Sequence, residues 1–196
     1  MRLTRTLRLF GILFIGLLAA GSSPSLAAWD VTQLMQSLAR QKSSKASFVE
    51  RKYMAMLDKP LEASGELLYQ APDRLEKRTL KPKPEWMLLD KNTLTLERGK
   101  QKMTLQLTDS PEVSAFVDSI RGTLAGDRKA LERSYALSLY GSPEHWKLTL
   151  LPSDQKISAL LVRITITGHG DQIGSIEYLQ ADGDRAVMTI DAIAEK

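Results

Sequence analysis

Apolar residues follow a helical period at the start of the chain and a strand period after it. From Val31 to Leu38 they recur at i, i+3, i+4 and i+7, which predicts an amphipathic helix over Asp30–Lys42. From Phe48 onwards they recur at every second position, the period of a half-buried strand. The first predicted strands are Phe48–Leu57, Gly65–Gln70, Arg74–Leu80, Trp86–Asp90, Thr93–Arg98 and Lys102–Leu107.

A second helical pattern interrupts these strands. Ser110 supplies an N-cap and Pro111 the first helical position, and the pattern ends at Gly126. A short helix over Asp127–Arg133 follows. The apolar stripe of the longer helix consists of Val113, Phe116, Val117, Ile120 and Leu124. The remaining predicted strands are Tyr135–Tyr140, Trp146–Leu151, Ala159–Thr167, Ser175–Leu179 and Ala186–Asp191.

The order of these elements predicts one domain of the α+β class that is mainly β. About eleven strands are expected, with one helix before them and a helical pair within them. Turn signals rich in proline, glycine and aspartate separate the strands, and no linker, repeat or low-complexity segment divides the chain. The expected architecture is a large antiparallel sheet that curls round the helices.

The first 27 residues have the layout of a secretory signal peptide. Three arginines lie among the first eight residues, an apolar run follows over Leu9–Leu18, and Ser25 and Ala27 offer small side chains at a cleavage site. The apolar run is shorter than the roughly 20 residues of a transmembrane helix. The sequence therefore predicts a signal peptide over 1–27 and a mature domain over 28–196 that works in the periplasm. A retained N-terminal anchor is the alternative.

Removal of this leader changes the charge of the protein. The whole chain has 27 basic and 23 acidic residues, but three of the basic ones lie in the leader, so the mature chain has a net charge of only +1. Nucleic acid is therefore not an expected partner. The basic clusters Arg78–Lys83 and Arg98–Lys102 are interpreted as solvated strand ends instead of phosphate-binding patches.

Residues that carry chemistry are sparse. The chain has no cysteine, no nucleophile elbow, no phosphate-binding loop and no zinc motif, so we predict no enzyme activity, no cofactor and no metal. His145 and His169 lie far apart in the sequence, each beside turn residues, and are interpreted as exposed loop histidines. The Asp182-Gly183-Asp184 segment fits a hairpin turn and lacks the rest of a calcium loop.

Methionine and tryptophan are spread over several predicted strands. Met54 and Met56 lie two residues apart and would share a strand face. Methionine adapts to varied apolar ligands, so these side chains fit the lining of a lipid cavity. They equally fit an ordinary hydrophobic core, and composition alone favours the core.

Motifs in a fixed order resemble the LolA-type outer-membrane lipoprotein carriers. That family shares A-S-F-x-Q, then a G-x-L strand, then R-P-x-x-x-x-W. Here Lys45–Arg51 reads K-A-S-F-V-E-R, Ser64–Tyr69 reads S-G-E-L-L-Y, and Ala71–Leu75 reads A-P-D-R-L. Trp146–Pro152 is similar to the family's later L-x-P region. The resemblance extends over nearly the whole mature chain.

The resemblance implies a half-open antiparallel barrel of about eleven strands whose concave face is covered by helices and holds acyl chains. Such a carrier, expected as a monomer, takes an acylated lipoprotein or other lipid-like cargo from an inner-membrane donor transporter. It then passes that cargo to an outer-membrane acceptor lipoprotein. The lipid-binding residues expected from strand and helix parity are Phe48, Met54, Met56, Leu68, Trp86, Val113, Phe116, Val117, Ile120 and Leu124.

Three positions depart from the family pattern. Ala71 stands where the family has its functional arginine, Lys77 where it has the tryptophan, and Glu50 where it has the glutamine. The family's lid contacts therefore do not carry over, although Arg74 or Arg78 could replace the arginine. These departures indicate a divergent relative, whose cargo could also be a glycolipid or a polyene ester.

Two other functions remain open at this point. The first is a periplasmic lipid-binding sensor that signals to an inner-membrane partner. The second is an esterase, for which His145 and His169 are the candidate bases.

Overall fold

The computed structural model describes residues 29–193 and shows a sheet of eleven strands with four α-helices. The predicted signal peptide over 1–27 lies outside the described residues. The helices are α1 (Val31–Leu38), α2 (Pro111–Ala125), α3 (Arg128–Glu132) and α4 (Gln155–Ser158). The strands are β1 (Ser43–Tyr53), β2 (Leu61–Gln70), β3 (Arg74–Lys81), β4 (Glu85–Asp90), β5 (Thr93–Arg98), β6 (Gln101–Gln106), β7 (Tyr135–Ser142), β8 (His145–Pro152), β9 (Leu161–His169), β10 (Gln172–Gln180) and β11 (Arg185–Ala192).

All eleven strands belong to one antiparallel sheet in the order β6-β5-β4-β3-β2-β1-β11-β10-β9-β8-β7. The chain runs outward from the centre through β1 to β6, and returns to the centre through β7 to β11. The first and last strands are therefore neighbours, with Phe48 opposite Ile190 and Glu50 opposite Met188. The predicted fold class, mainly β with helices on an open antiparallel sheet, is confirmed.

The segment between the two edge strands crosses one face of the sheet, here called the concave face. It contains a 3₁₀ turn at Leu107–Asp109, then α2 and α3. Val117 packs on the side of β3 to β6, whereas Ile120 packs on the side of β7 to β11. Helix α2 therefore bridges the two halves of the sheet.

Two hydrophobic clusters lie on the concave face. In the larger cluster, Leu34, Met35 and Leu38 of α1 pack on side chains of β8 to β10 such as Leu148 and Ile166. The smaller cluster has Leu89, Leu94 and Leu107 at its centre. Burying a side chain of this size stabilises the fold by about 1.5–3 kcal/mol, so the larger cluster supplies most of the apolar stabilisation.

Helix α1 begins as the sequence predicts and ends earlier. The Asp30 carboxylate accepts a hydrogen bond from the Gln33 backbone at 2.8 Å, and the Gln33 side chain accepts one from the Asp30 backbone at 3.2 Å. This reciprocal pair is a capping box. The helix ends at Leu38 instead of Lys42 because the chain turns there to enter β1.

Strand β1 is shorter than the predicted Phe48–Leu57 at its C-terminal end. It ends at Tyr53, and residues 54–60 form the turn to β2. The turn is held by a hydrogen bond from the Ala55 backbone to Asp184 Oδ1 at 3.1 Å, from the neighbouring β10–β11 turn. Met54 and Met56 therefore do not share a strand face, which corrects the prediction.

The turn between α2 and α3 packs closely on α1. Gly126 ends α2 in the left-handed conformation, with φ of 65°. A Cβ atom at this position would overlap the carbonyl oxygen of Met35 and lie 2.8 Å from the Ala39 Cβ. Glycine is therefore required both by the backbone angle and by the space between the helices.

We expect Gly126→Ala to destabilise the protein by about 3 kcal/mol, from left-handed strain of about 1–2 kcal/mol and overpacking of about 1–3 kcal/mol. Gly99→Ala is the matched control, because Gly99 has φ of 60° but a Cβ added there would meet nothing within 4 Å. Urea unfolding of both variants measures the difference. Equal losses would show that the contact with α1 adds nothing.

Candidate functional site

Helix α2 packs on the rest of the protein through its small residues. Ala115, Ser119, Gly122 and Thr123 are buried. The Tyr135 hydroxyl donates a hydrogen bond to the Ala115 carbonyl at 3.1 Å and so ties α2 to β7. Burial, together with the charge of Asp118, raises the Tyr135 pKa to about 12, so the phenol keeps its proton at neutral pH.

The apolar stripe of α2 faces the sheet only in part. Val117 and Ile120 pack on the two clusters, but Val113 and Phe116 remain exposed. The Phe116 ring contacts the buried ring of Tyr178 on β10, with centroids 4.6 Å apart. One edge of the helix therefore presents apolar surface to solvent directly beside the concave face.

An ion pair lies on the concave face between the two clusters. Lys77 Nζ of β3 donates to Glu50 Oε2 of β1 at 2.8 Å, and it also lies 4.8 Å from the centroid of the Phe48 ring. The strand between them contributes Gly65, which is opposite Phe48 in register. Glu50 is buried, and its charge adds to burial in raising the pKa of Tyr178.

Two methionines on this face, Met87 and Met103, are more exposed than the row of leucines beside them. Lys77, Met87, Leu96 and Met103 are successive partners across β3 to β6. Met87 and Met103 are exposed although they face the same side as the buried Leu89 and Leu94. The concave face is thus covered over the clusters and open over Met87 and Met103.

A family model described as outer membrane lipoprotein carrier protein LolA-like matches residues 22–195. The chain belongs to this LolA-like family. No curated protein matches the sequence.

Several solved structures resemble this chain at low sequence identity. A LolA superfamily protein from Nitrosomonas europaea is 10% identical, with a TM-score of 0.44 over 86% of this chain and 96% of the other. A putative outer membrane lipoprotein-sorting protein domain from Vibrio parahaemolyticus is 8% identical, with a TM-score of 0.46 over 82% and 88%. A chain of the MucA/MucB complex from Pseudomonas aeruginosa is 15% identical, with a TM-score of 0.49 over 85% and 58%.

Two departures from the LolA-like pattern meet in the ion pair. Glu50 and Lys77, which stand where the family motifs have glutamine and tryptophan, lie far apart in the sequence and bond to each other on the concave face. At position 71 the chain has an alanine instead of the family's arginine. Arg74 and Arg78, the two arginines that could replace it, do not face the helices. Arg74 pairs with Asp90 at 2.9 Å and Arg78 with Glu76 at 2.5 Å, all on the convex face of the sheet.

Strand register moves two of the predicted lipid-binding residues of this LolA-like protein to the convex face. Leu68 is opposite Glu76, and Trp86 donates from Nε1 to Glu76 Oε1 at 2.6 Å. Leu67 and Met87, their neighbours in sequence, face the helices instead. Period-two alternation shows that a strand has two faces, but a shift of one residue exchanges them.

The other predicted lipid-binding residues differ in burial and in their position on the fold. Phe48 is buried beside the ion pair, and Leu124 is half-buried near the end of α2. Met54 and Met56 lie in the β1–β2 turn, where Met56 is 91% exposed. The predicted residues that the structure brings to the concave face are Phe48, Phe116, Val117 and Ile120, whereas Val113 on α2 is exposed.

The two histidines, which the sequence separates, border one depression. His145 and His169 line a cavity of about 560 Å³ together with Ser175. The Ser175 hydroxyl shares a hydrogen bond with Thr167 Oγ1 at 2.7 Å. Within residues 29–193, neither histidine is a hydrogen-bond partner of Ser175. These polar side chains lie on the convex face, away from α2.

Within residues 29–193, no three histidine or acidic side chains come together as a set of metal ligands. The helices of this part of the chain are all too short or too polar to cross a membrane.

We expect the Glu50–Lys77 pair to be coupled more strongly than a surface pair. The side chains of Glu50 and Lys77 are 9% and 22% exposed. Those of Arg51 and Glu62, which pair at 2.9 Å, are 49% and 59% exposed. A double-mutant cycle of Glu50→Gln and Lys77→Met should give a coupling energy of about 1–3 kcal/mol in urea unfolding.

The matched control is the cycle of Glu62→Gln and Arg51→Met, which should give less than about 1 kcal/mol because water screens the pair. Equal coupling in the two cycles would contradict a special environment on the concave face.

Proposed function

We propose that this LolA-like protein carries acyl chains of a lipoprotein, or of a related lipid, on its concave face and shuttles them between the inner and outer membranes. The observation that supports this most directly is the cover that α2 makes over the apolar face, with Phe116 left exposed beside Tyr178. Family membership supports the same role. On this proposal residues 1–27 are a signal peptide that is removed on export, and the protein works in the periplasm.

Acyl chains supply the driving force for such binding. Each buried methylene contributes about 0.8 kcal/mol, so a long chain offsets a considerable rearrangement of the protein. Leu94 and Leu107, which belong to the cluster that Val117 of α2 joins, are buried, and Phe48 on the same sheet face is buried as well. Cargo therefore requires α2 to move away from the sheet.

The contacts of α2 suggest how it moves. Its first half is held by the hydrogen bond from Tyr135, and its second half by Arg121, whose Nη1 donates to the Lys91 carbonyl at 2.7 Å. The tight packing of Gly126 on α1 fixes the end of the helix. We infer that the first half, which carries Phe116, lifts while the end near Gly126 stays in place.

The Glu50–Lys77 ion pair places polar groups within the apolar lining of the concave face. Lys77 has three N–H donors, and within residues 29–193 the Glu50 carboxylate is its hydrogen-bond acceptor. A carbonyl of the cargo's acyl linkage could take one of the other donors without breaking the pair. This would place the acyl chains over the smaller cluster and Met87.

Mass spectrometry of molecules that co-purify with the exported protein tests the general proposal. Triacylated lipoprotein would support the carrier role, and a glycolipid or pigment ester would support a specialised shuttle. A protein that holds lipid but never releases it to membranes would favour the sensor function. An empty protein that also refuses acyl probes would overturn all three.

We expect Phe116→Asp to reduce the uptake of a fluorescent fatty acyl probe at least ten-fold, because it puts a charge where apolar cargo must pass. Leu151→Asp is the matched control. Leu151 is 46% exposed and Phe116 42%, but Leu151 lies on the convex face of β8. The control should take up the probe like the unmodified protein. Circular dichroism would verify that both variants are folded. Equal probe uptake by the two folded variants would contradict the role of α2 as the cover.

Movement of α2 has its own test. The chain contains no cysteine, so Phe116→Cys and Tyr178→Cys can be joined specifically by a short reducible bismaleimide. Probe uptake should stop when the two are joined and return on reduction. Unchanged uptake in the joined form would contradict an opening at Phe116.

A further inference from the structure

Three hairpin turns at one end of the sheet combine basic and apolar side chains. They are the β1–β2, β3–β4 and β5–β6 turns, at residues 54–60, 82–84 and 99–100. Because successive turns of an antiparallel meander alternate between its two ends, these three lie side by side at the same end. We call these turns and the strand ends next to them the hairpin rim.

Ion pairs on the rim leave mainly lysines without a partner. Within residues 29–193, Arg51, Arg98 and Lys102 pair with glutamates. Asp58 is the one rim carboxylate outside those pairs. The rim lysines with no ion-pair partner among the described residues are Lys52, Lys59, Lys81, Lys83 and Lys100. The rim is therefore strongly positive although the mature chain is nearly neutral.

The neighbouring β10–β11 turn does not neutralise this charge by direct pairing. Its Asp184 accepts a hydrogen bond from the Ala55 backbone, and Asp182 accepts one from the Asp184 backbone at 3.0 Å. Both carboxylates are thus engaged with backbone N–H groups of the two turns.

Apolar side chains project between the lysines. Met56 is 91% exposed at the tip of the β1–β2 turn. Leu57, Leu61 and Leu80 are also exposed in the same hairpins. Met56 and Leu57 in a turn, and Leu61 and Leu80 at strand ends, are accompanied by lysines with long flexible stems. This combination matches the boundary between phosphate headgroups and acyl chains.

We propose that the hairpin rim docks on a membrane surface rich in anionic phospholipid. The apolar tips enter the headgroup boundary, and the lysines lie at the phosphates. Exposed Met103 lies on the concave face close to the β5–β6 turn, so docking brings the open part of that face to the membrane. The docking itself depends on the rim alone, and its use in cargo exchange depends on the proposed function.

Vesicle flotation tests the docking. The exported protein, with its first residue verified by intact mass, is mixed with phosphatidylcholine vesicles or with vesicles that also contain phosphatidylglycerol. It should float with the anionic vesicles and hardly at all with the neutral ones, and high salt should weaken this binding. The variant Lys59→Gln/Lys83→Gln/Lys100→Gln should bind anionic vesicles about 100-fold more weakly. The variant Met56→Ser/Leu57→Ser should also bind more weakly, with the salt dependence kept.

The matched control removes the same charge elsewhere. Lys42, Lys91 and Lys129 are exposed and lie outside the hairpin rim, so their replacement by glutamine should change vesicle binding less than about two-fold if the rim is responsible. Equal loss in both triple variants would overturn the proposal. Equal flotation with both vesicle types would also overturn it. Flotation with neither type would overturn it too, and would favour an acidic protein surface as the partner of the rim.

Acyl-probe uptake separates this inference from the proposed function. The triple rim variant should take up the probe normally, since its three lysines lie outside the covered part of the concave face. Vesicle binding without any probe uptake would retain the docking and overturn the carrier role. Probe uptake without vesicle binding would retain the carrier role and overturn the docking.

Discussion

The pairing of the first strand with the last is the constraint on which the rest of this structure depends. Because β1 and β11 are neighbours at the centre of the sheet, the two halves of the chain end at opposite edges, β6 and β7. The segment that connects those edges has to cross the sheet. It crosses on the concave face, and its longest part, α2, becomes the cover of that face.

The cover is held by the packing of small residues and by a few specific contacts. Small residues of α2 lie against the protein, Tyr135 anchors one half, and Gly126 fits against α1 where a larger residue would collide. The larger hydrophobic cluster, by contrast, joins α1 to the sheet and contains only Ile120 from α2. The main core of the fold therefore depends little on α2, which is compatible with the opening that the proposed carrier role requires.

The Glu50–Lys77 pair shows how this chain differs from the general pattern of its family. A charge on an apolar face is costly unless it is paired, and here each unusual residue provides the partner of the other. The pair joins β3 to β1 across β2 and leaves spare N–H donors between the two clusters. The departure at position 71 has no such compensation on this face, since Arg74 and Arg78 are engaged on the convex side.

The sequence by itself determined the number and order of the strands, the capped start of α1, the extent of α2 and membership of the family, because these follow from local periodicity, capping residues and motif order. It did not determine which strand face meets the helices: Leu68 and Trp86 were placed on the wrong side of the sheet by one residue. Tertiary structure alone decided that face, the meeting of Glu50 with Lys77, and the grouping of the lysine-bearing turns at one end. Each of these depends on register between strands distant in sequence, and register is set by packing of the whole sheet.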